Sequence, residues 1–411
     1  MLQPVLEELV GVDPPVAIEA YDGSRVGPRD APATVVVRSP DAIRRIVTRP
    51  GELGFSRAYV AGDLDIEGDV FAALSLKDNI GSLSLRPSTV AALVRELGVS
   101  ELRPLPPPPE EARLRGRRHT RARDAAAIAH HYDVSNDFYR LLLGPSLTYS
   151  CAVWTDDPAD ALEAAQARKH ELICRKLGLQ PGMRLLDVGC GWGSMALHAA
   201  DHHGVDVVGV TVSRRQVELA RARVSEAGRA DRVEIRLQDY RDVADGPFDA
   251  ISSVGMFEHV GAVRLAEYVE RLHGLLAPRG RLLNHAISRP PYQRPLLHHP
   301  GFIDRYVFPD GDLLEVGETI TAMQTAGFEV RDVEGLREHY ALTLRRWVAN
   351  LEADWDEAVR LVGRARARVW RIYLAGSALN FESGLTQIFQ TLGVVHAGGD
   401  SGVGLRPPWR S

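Results

Sequence analysis

Cysteine is scarce in this chain: its 411 residues include three, Cys151, Cys174 and Cys190. Their spacing matches neither a metal site nor a disulfide framework, which fits a reducing cytosol. No uninterrupted apolar run approaches the roughly 20 residues that a membrane-spanning helix needs, so any membrane contact is expected to be peripheral. The first residues include Glu7 and Glu8 and lack a basic stretch ahead of an apolar core, so no signal peptide is expected. A basic excess is missing as well. The net charge of −5 argues against a general nucleic-acid binder. What is present, 45% hydrophobic and 25% charged residues, is ordinary for a soluble globular protein, and the length suggests two domains.

Residues 1–103 read as a small α+β accessory domain of short apolar runs broken by turn signals. Thr34-Val35-Val36-Val37 is β-branched throughout and predicts a strand. Ala42, Ile43, Ile46 and Val47 follow at helical spacing. Ala58 to Asp65 carries no catalytic cluster. Residues 104–124 form a linker: Pro104 to Glu111 is a stiff proline-rich spacer, and Arg113, Arg115, Arg117, Arg118, Arg121 and Arg123 crowd the stretch after it. Such a concentration suits either a solvated linker or a patch meeting anionic phospholipid, where each basic residue adds about 1 kcal/mol.

Residues 125–411 alternate helix and strand. Leu162 to Leu177 predicts a helix before a first strand, Arg184–Val188. Further strands are expected at Val205–Val210, Val233–Leu237, Phe248–Ser253 and Gly280–Ala286. Between them, a helix begins at Ser194, Val217, Ala220, Val224 and Ala227 share a helical face, and Leu265, Tyr268, Val269, Leu272, Leu275 and Leu276 mark an amphipathic helix. This is the α/β pattern of a mainly parallel sheet covered by helices, with ligands at the carboxyl ends of the strands. Pro290 to Pro309 lacks periodicity and reads as a lid. Trp355, Ala358, Val359, Val362 and Val369 mark a long C-terminal helix, followed by Tyr373 to Phe389.

The most informative stretch is Leu185-Leu186-Asp187-Val188-Gly189-Cys190-Gly191-Trp192-Gly193. It is an apolar strand running through an acidic residue into a glycine turn, where the backbone can approach a ligand at a helix N-terminus. Alone, such a turn fits nicotinamide, flavin and S-adenosylmethionine sites alike. After the second strand, however, comes Thr211-Val212-Ser213 rather than the acidic ribose clamp of a dinucleotide site.

Four stretches together resemble the cyclopropane-fatty-acyl-phospholipid synthase family of S-adenosylmethionine-dependent methyltransferases. They are His131 to Tyr139 (HYDVSNDFY), Leu147 to Ala152 (LTYSCA), the glycine turn, and Gly255 to Gly261 (GMFEHVG). The likeness covers roughly residues 125–393, and the ending Val369 to Ser377 is similar to an actinobacterial branch linked to 10-methyl, tuberculostearate-type lipids. The resemblance implies a Rossmann-like class I methyltransferase sheet with a helical lid and C-terminal helices. It places S-adenosylmethionine against Tyr149, Ser150, Gly189, Gly191 and Gly193, with Thr211, Ser213 and Gln216 completing the site and Asp239 and Tyr240 near the adenine. Asp187 reads as a support for the glycine turn. Thr211, Ser213 and Asp239 also have capping roles open to them.

A cis double bond is a weak nucleophile, so its methylation needs a strong electrophile held in line. The resulting cation needs electron-rich walls, for which Tyr132, Tyr149, Phe257 and Tyr340 are the candidates. The resemblance further implies a bound bicarbonate as base, held by Cys151, Glu258, His285, Ile287 and Tyr340, with Cys151 and Ile287 contributing through the main chain. A nucleophilic role for Cys151 is not expected, because the methyl donor is already activated. Where some mycolic-acid relatives carry a C-terminal cysteine this chain has Ser377, so an essential thiol there is not expected either. The expected substrate is an unsaturated phospholipid met at the inner face of the membrane by a cytoplasmic, peripheral enzyme. A homodimer and a separate reductase acting on the product remain open as partners. Proton loss from the added methyl closes a cyclopropane, whereas a prior hydride shift leaves a 10-methylene branch, the product favoured here. A small-molecule methyltransferase and a non-catalytic lipid-surface protein are the competing readings.

Overall fold

The computed structural model describes residues 2–11, 14–75, 103–112, 120, 123, 135–293 and 301–410. Backbone contacts divide the chain into two units. One comprises Met1–Arg113, Leu297–Pro309 and Leu351–Leu379, the other Leu114–Leu296, Asp310–Asn350 and Asn380–Ser411.

In the first unit, strands β1 (Ala17–Ala20), β2 (Arg25–Val26), β3 (Ala33–Val37) and β4 (Leu64–Gly68) form a sheet of order β2-β1-β3-β4. The β-branched run lies in β3, where Ala33, Val35 and Val37 are buried in alternation. Helices α1 (Gln3–Val10), α2 (Pro40–Thr48), α3 (Glu52–Ala61) and α4 (Val70–Leu74) accompany it. Pro40, with its fixed φ, suits the first turn of α2, which buries Ala42, Ile43 and Ile46 as their spacing predicts. The proline-rich stretch is not a free spacer. An extended proline chain leaves its carbonyls without internal partners, and Arg45 on α2 donates to the Pro106 carbonyl at 2.9 Å. Glu111 accepts from Arg57 at 2.8 Å and Arg305 at 2.7 Å. Burial alone would raise its carboxyl, but the two guanidiniums hold it below the usual range. The first unit therefore runs past residue 103 and takes in two later stretches. Arg113, Arg115, Arg117, Arg118 and Arg121 lie outside the described residues. Arg123 pairs with Asp310 at 2.8 Å, so its charge is already matched.

The second unit holds a seven-stranded sheet of order β10-β11-β9-β8-β5-β6-β7. Its strands are β5 (Arg184–Val188), β6 (Asp206–Thr211), β7 (Val233–Leu237), β8 (Phe248–Val254), β9 (Leu276–Ser288), β10 (Glu329–Gly335) and β11 (Gln387–Val394). Strands β5 to β9 are parallel, and β11 runs antiparallel to β9 and β10. The five expected strands are all present, with β9 longer at both ends. Strands β10 and β11 are additional. The polar run of β10 hides it at a sheet edge, and β11 begins within the stretch expected to follow the C-terminal helix. That helix is in fact two, Trp355–Val362 and Arg364–Glu382, because Gly363 between them takes a left-handed φ of 81°. Within the expected lid, Phe302–Tyr306 is a short helix, and residues 294–300 lie outside the described set.

Helices α5 (Asn136–Leu143), α6 (Leu162–Leu177), α7 (Ser194–His203), α8 (Arg214–Glu226), α9 (Phe257–Val260) and α10 (Leu265–Gly274) belong to this unit. Alternation along the strands supplies two cores. Leu186, Val188, Ile251 and Leu282 face Tyr268, Val269 and Leu272 of α10. Leu185, Val207, Ala250, Leu283 and Leu392 face Ile173 and Leu177 of α6 and Ala196 and Ala199 of α7. Strand order reverses at β5, whose neighbours β6 and β8 lead away on opposite sides. A crevice therefore opens at the carboxyl end of β5, where the glycine turn begins. Leu283 is fully buried at the centre of this sheet. Leu283→Ala is expected to lower unfolding stability by about 2–5 kcal/mol in a denaturant titration.

Candidate active site

Gly189, Gly191 and Gly193 have φ of 75°, 54° and 81°, the left-handed region that glycine occupies without strain. A Cβ on Gly189 would lie 2.4 Å from the Met256 sulfur. The amides of Gly189 and Cys190 both donate to the Val210 carbonyl, which ties the turn to β6. Helix α7 begins at Ser194, so its unpaired first N–H groups face the same crevice.

The turn walls a cavity whose enclosed and solvent-open space together come to about 1340 Å³. Tyr149, Ser150, Asp187, Gly189, Gly191, Thr211, Gln216, Asp239 and Tyr240 all line it. Gly193 and Ser213 do not. A Cβ on Gly193 would lie 3.5 Å from Ala220, and Ser213 Oγ accepts from the Gln216 amide at 3.3 Å to cap α8. Thr211 Oγ1 donates to Gln216 Oε1 at 2.7 Å, which fixes both side chains at the cavity wall. Asp239 accepts from the Arg241 amide at 3.0 Å and from its guanidinium at 2.6 Å, so it is a turn cap as well as a wall. Burial lifts the Tyr240 phenol to about 12. Lys169, His170, Trp192, Met256 and His259 also line the cavity. Trp192, Met256 and His259 lie within the quoted motifs without a role assigned to them, whereas Lys169 and His170 lie in none.

Two buried charges stand at its base. Asp187 Oδ1 accepts from Ser252 Oγ at 2.7 Å across the β5–β8 pairing, while Oδ2 has no hydrogen-bond partner. Burial raises its carboxyl to about 6 despite the Ser252 bond and the nearby Lys169. Lys169 on α6 is 1% exposed and donates to Ser150 Oγ at 3.0 Å. Burial pulls its ammonium down to about 7, against the pull of Cys151 and Asp187.

The five residues expected to hold a small oxyanion are linked beside this cavity, not in its wall. Glu258 sits between the wall residues Met256 and His259, and its Oε1 accepts from the Ile287 amide at 2.7 Å. That amide is therefore taken by Glu258 itself. His285 pairs with Val254 of β8 and with Gln390 of β11. The Gln390 side-chain amide lies 3.1 Å from its Nδ1, so Nδ1 accepts and Nε2 carries the proton. Cys151 Sγ and the Tyr340 amide share the Leu336 carbonyl, at 3.6 and 3.1 Å. The Leu336 amide in turn donates to Ile388, the β11 residue paired with Ile287. Glu258 Oε2 and His285 Nε2 are both buried without a hydrogen-bond partner. Burial raises Glu258 to about 7, in part offset by the Ile287 amide. It holds His285 neutral, well below the ordinary imidazole range, with Lys169 and Lys176 adding to the effect. The Cys151 thiol is pushed up by burial, so it is no thiolate nucleophile.

Aromatic rings run from one group to the other. Trp192, Tyr139, Tyr149, Trp347 and Tyr340 follow one another at centroid spacings of 4.7, 6.0, 5.2 and 6.1 Å. Tyr149 and Tyr340 thus belong to one aromatic wall. Phe257 instead packs edge-on against Tyr268 in the core, and Tyr132 lies outside the described residues. One grouping of ligating atoms escaped the sequence. Cys174, His198 and His203 converge within 4.8 Å, but Glu171 Oε2 already engages both imidazoles, at 3.4 and 3.0 Å.

Residues 119–391 match the mycolic acid cyclopropane synthetase family. The chain is 44% identical to a probable fatty acid methyltransferase of Mycobacterium tuberculosis, over 96% of this chain and 95% of that one. It is 35% identical to a tuberculostearic acid methyltransferase of the same organism, over 92% and 87%. Among solved structures it is similar to the mycolic acid cyclopropane synthase CmaA1 complexed with SAH and CTAB. That match has a TM-score of 0.62 and 35% identity, and covers 66% of this chain and 98% of that one.

Gly189→Ala adds a Cβ both against Met256 and at a left-handed φ. It is expected to weaken nucleoside binding at least tenfold in calorimetry while the circular dichroism spectrum stays native. A carboxyl raised from 4.5 to about 7 keeps its proton longer in the folded state. The stability that Glu258 contributes is thus fully present below about pH 4.5 and lost as pH rises through 7. Relative to wild type, Glu258→Gln should gain on the order of 3 kcal/mol between pH 4.5 and 8 in denaturant titrations.

Proposed function

The chain belongs to the mycolic acid cyclopropane synthetase family, and on that footing we propose that it methylates the cis double bond of an unsaturated acyl chain in a membrane phospholipid. It is an S-adenosylmethionine-dependent methyltransferase of the fatty acid methyltransferase and cyclopropane synthase kind. Bound S-adenosylmethionine supplies an electrophilic methyl group. The chain's part is to align that methyl with the alkene and to exclude water. A carbon–carbon bond forms, the sulfur–carbon bond breaks, and positive charge appears on the acyl chain. The aromatic wall through Tyr149, Trp347 and Tyr340 offers ring faces to that charge, worth about 2 kcal/mol where water is excluded.

The observation that carries this reading is the pair of orphaned buried atoms, Glu258 Oε2 and His285 Nε2, beside the nucleoside cavity. Their chemistry suits a small oxyanion. His285 offers an N–H, and a carboxyl near 7 can offer an O–H. We assign to Glu258, His285 and Tyr340 the binding of bicarbonate, which would take the surplus proton there. In support of the methylene product stand the Val369–Ser377 ending and the likeness to the tuberculostearic acid methyltransferase. A cyclopropane is the other outcome of the same cation. Among the described residues no helix is long and apolar enough to cross a membrane. On this proposal the chain meets its substrate peripherally.

Incubation with labelled S-adenosylmethionine and unsaturated phospholipid vesicles, followed by mass spectrometry, should find the label in a methylene-branched acyl chain. A purely cyclopropane product replaces the product assignment. Label appearing only in soluble acceptors overturns the lipid substrate. Glu258→Gln should cut turnover about a hundredfold or more while cofactor binding persists.

A further inference from the structure

We propose that Glu171, Cys174, His198 and His203 form a site for a divalent transition metal of the zinc class, which staples α6 to α7. The donors sit on two packed helices of one unit. Glu171 and Cys174 are one turn apart on α6, and His198 and His203 lie in the last turns of α7. The Cys174 sulfur and one nitrogen of each imidazole lie within 4.8 Å of one another. Glu171 Oε2 stands 3.4 Å from His198 Nε2 and 3.0 Å from His203 Nε2. Zinc–ligand bonds of about 2.0–2.3 Å set the donors of a tetrahedral site roughly 3.3–3.8 Å apart. The carboxylate–imidazole spacings already fall near that range. The widest gap among Cys174, His198 and His203 has to close by about 1 Å at most.

The donor set names the class of ion. One thiolate and one carboxylate balance the charge of a divalent cation, and two neutral imidazoles complete its shell. Sulfur and imidazole nitrogen favour zinc and its neighbours over calcium or magnesium, which take oxygen ligands. Four protein donors leave no open position, so the ion braces the two helices and does no chemistry. Exposure is graded as such a site needs. Cys174 is fully buried, the two imidazoles are 12% and 17% exposed, and Glu171 at 43% opens a way in from solvent. Cys174 is in no disulfide, and burial pushes its thiol up, with Glu171 and Asp187 adding to the effect. Its proton therefore leaves for water only as the metal arrives. Without metal, Glu171 accepts from both imidazoles; with metal, each ring carries its proton on Nδ1 and turns Nε2 to the ion. A core cysteine and a surface carboxylate–histidine contact would account for each part separately, but not for their convergence. Cysteine spacing could not mark the site, because three of its four donors are not cysteine.

The test uses the full chain without a tag, kept reduced, stripped with a chelator and titrated with Co²⁺ and then Zn²⁺. Cobalt should bind as one ion per chain, with the intense visible bands of a tetrahedral ion and a thiolate-to-cobalt charge-transfer band in the near ultraviolet. Zinc should displace it with a Kd below about 1 µM and raise the melting temperature. Loss of an outer partner of a metal site costs about 10–100-fold in affinity, so loss of a direct ligand should cost at least as much. Cys174→Ser should abolish the charge-transfer band and weaken zinc about a hundredfold or more, and Glu171→Gln should weaken it about tenfold or more. An octahedral cobalt spectrum, weaker zinc binding by wild type, or a band and affinity that survive Cys174→Ser overturns the site. Should Cys174→Ser fail to fold, the double variant His198→Gln, His203→Gln at partly exposed positions decides, and undiminished zinc binding by it refutes the proposal. None of these results bears on the methyltransferase reading, which rests on other residues.

Discussion

Everything in the larger unit follows from a backbone that must turn sharply at the end of β5 and still leave its N–H groups facing a ligand. Gly189, Gly191 and Gly193 meet that demand with left-handed φ angles. Strand β6 anchors the turn through the Val210 carbonyl, and the Met256 side chain lies over Gly189, where a Cβ would force it to shift. Because the sheet reverses its strand order at β5, the same point is also the natural crevice of the fold. Position and conformation thus coincide.

Around that turn the protein keeps polar groups in places where burial is costly. Asp187, Lys169, Glu258 and His285 are all removed from water, and each shifts toward its neutral form. Three of them also carry an atom with no hydrogen-bond partner, namely Asp187 Oδ2, Glu258 Oε2 and His285 Nε2. Such atoms oppose folding unless a ligand satisfies them. Lys176, equally buried, is by contrast paired with Asp332 at 3.0 Å. The contrast between the two lysines is a contrast between structure and site.

Much of the fold was legible from the chain. The strands at Arg184–Val188 and Val233–Leu237 appear with the expected bounds, because short aliphatic runs bounded by turn residues have few other ways to bury themselves. Strand β10 was not legible, since Glu329, Arg331, Asp332 and Glu334 mask its alternation. Gly363, lying inside what reads as one amphipathic helix, splits it into two. Of the site, the glycine turn, Thr211, Gln216 and Asp239 could be named from motif and position. Lys169 could not, because a lysine within Gln166-Ala167-Arg168-Lys169-His170-Glu171 looks like one more solvated charge on a helix.

What the sequence determined by itself is local: the glycine turn, the absence of an acidic clamp after β6, the period of each strand and helix, and the motifs that mark the family. These depend on backbone preference and on neighbours a few residues away. Tertiary structure decided which charges are buried and which buried atoms go unpaired, as well as how Cys151, Tyr340, Glu258 and His285 are joined through Leu336 and the β9–β11 pairing. The physical reason is that desolvation and hydrogen-bond satisfaction belong to the packed neighbourhood of an atom, and that neighbourhood is assembled from segments up to two hundred or so residues apart.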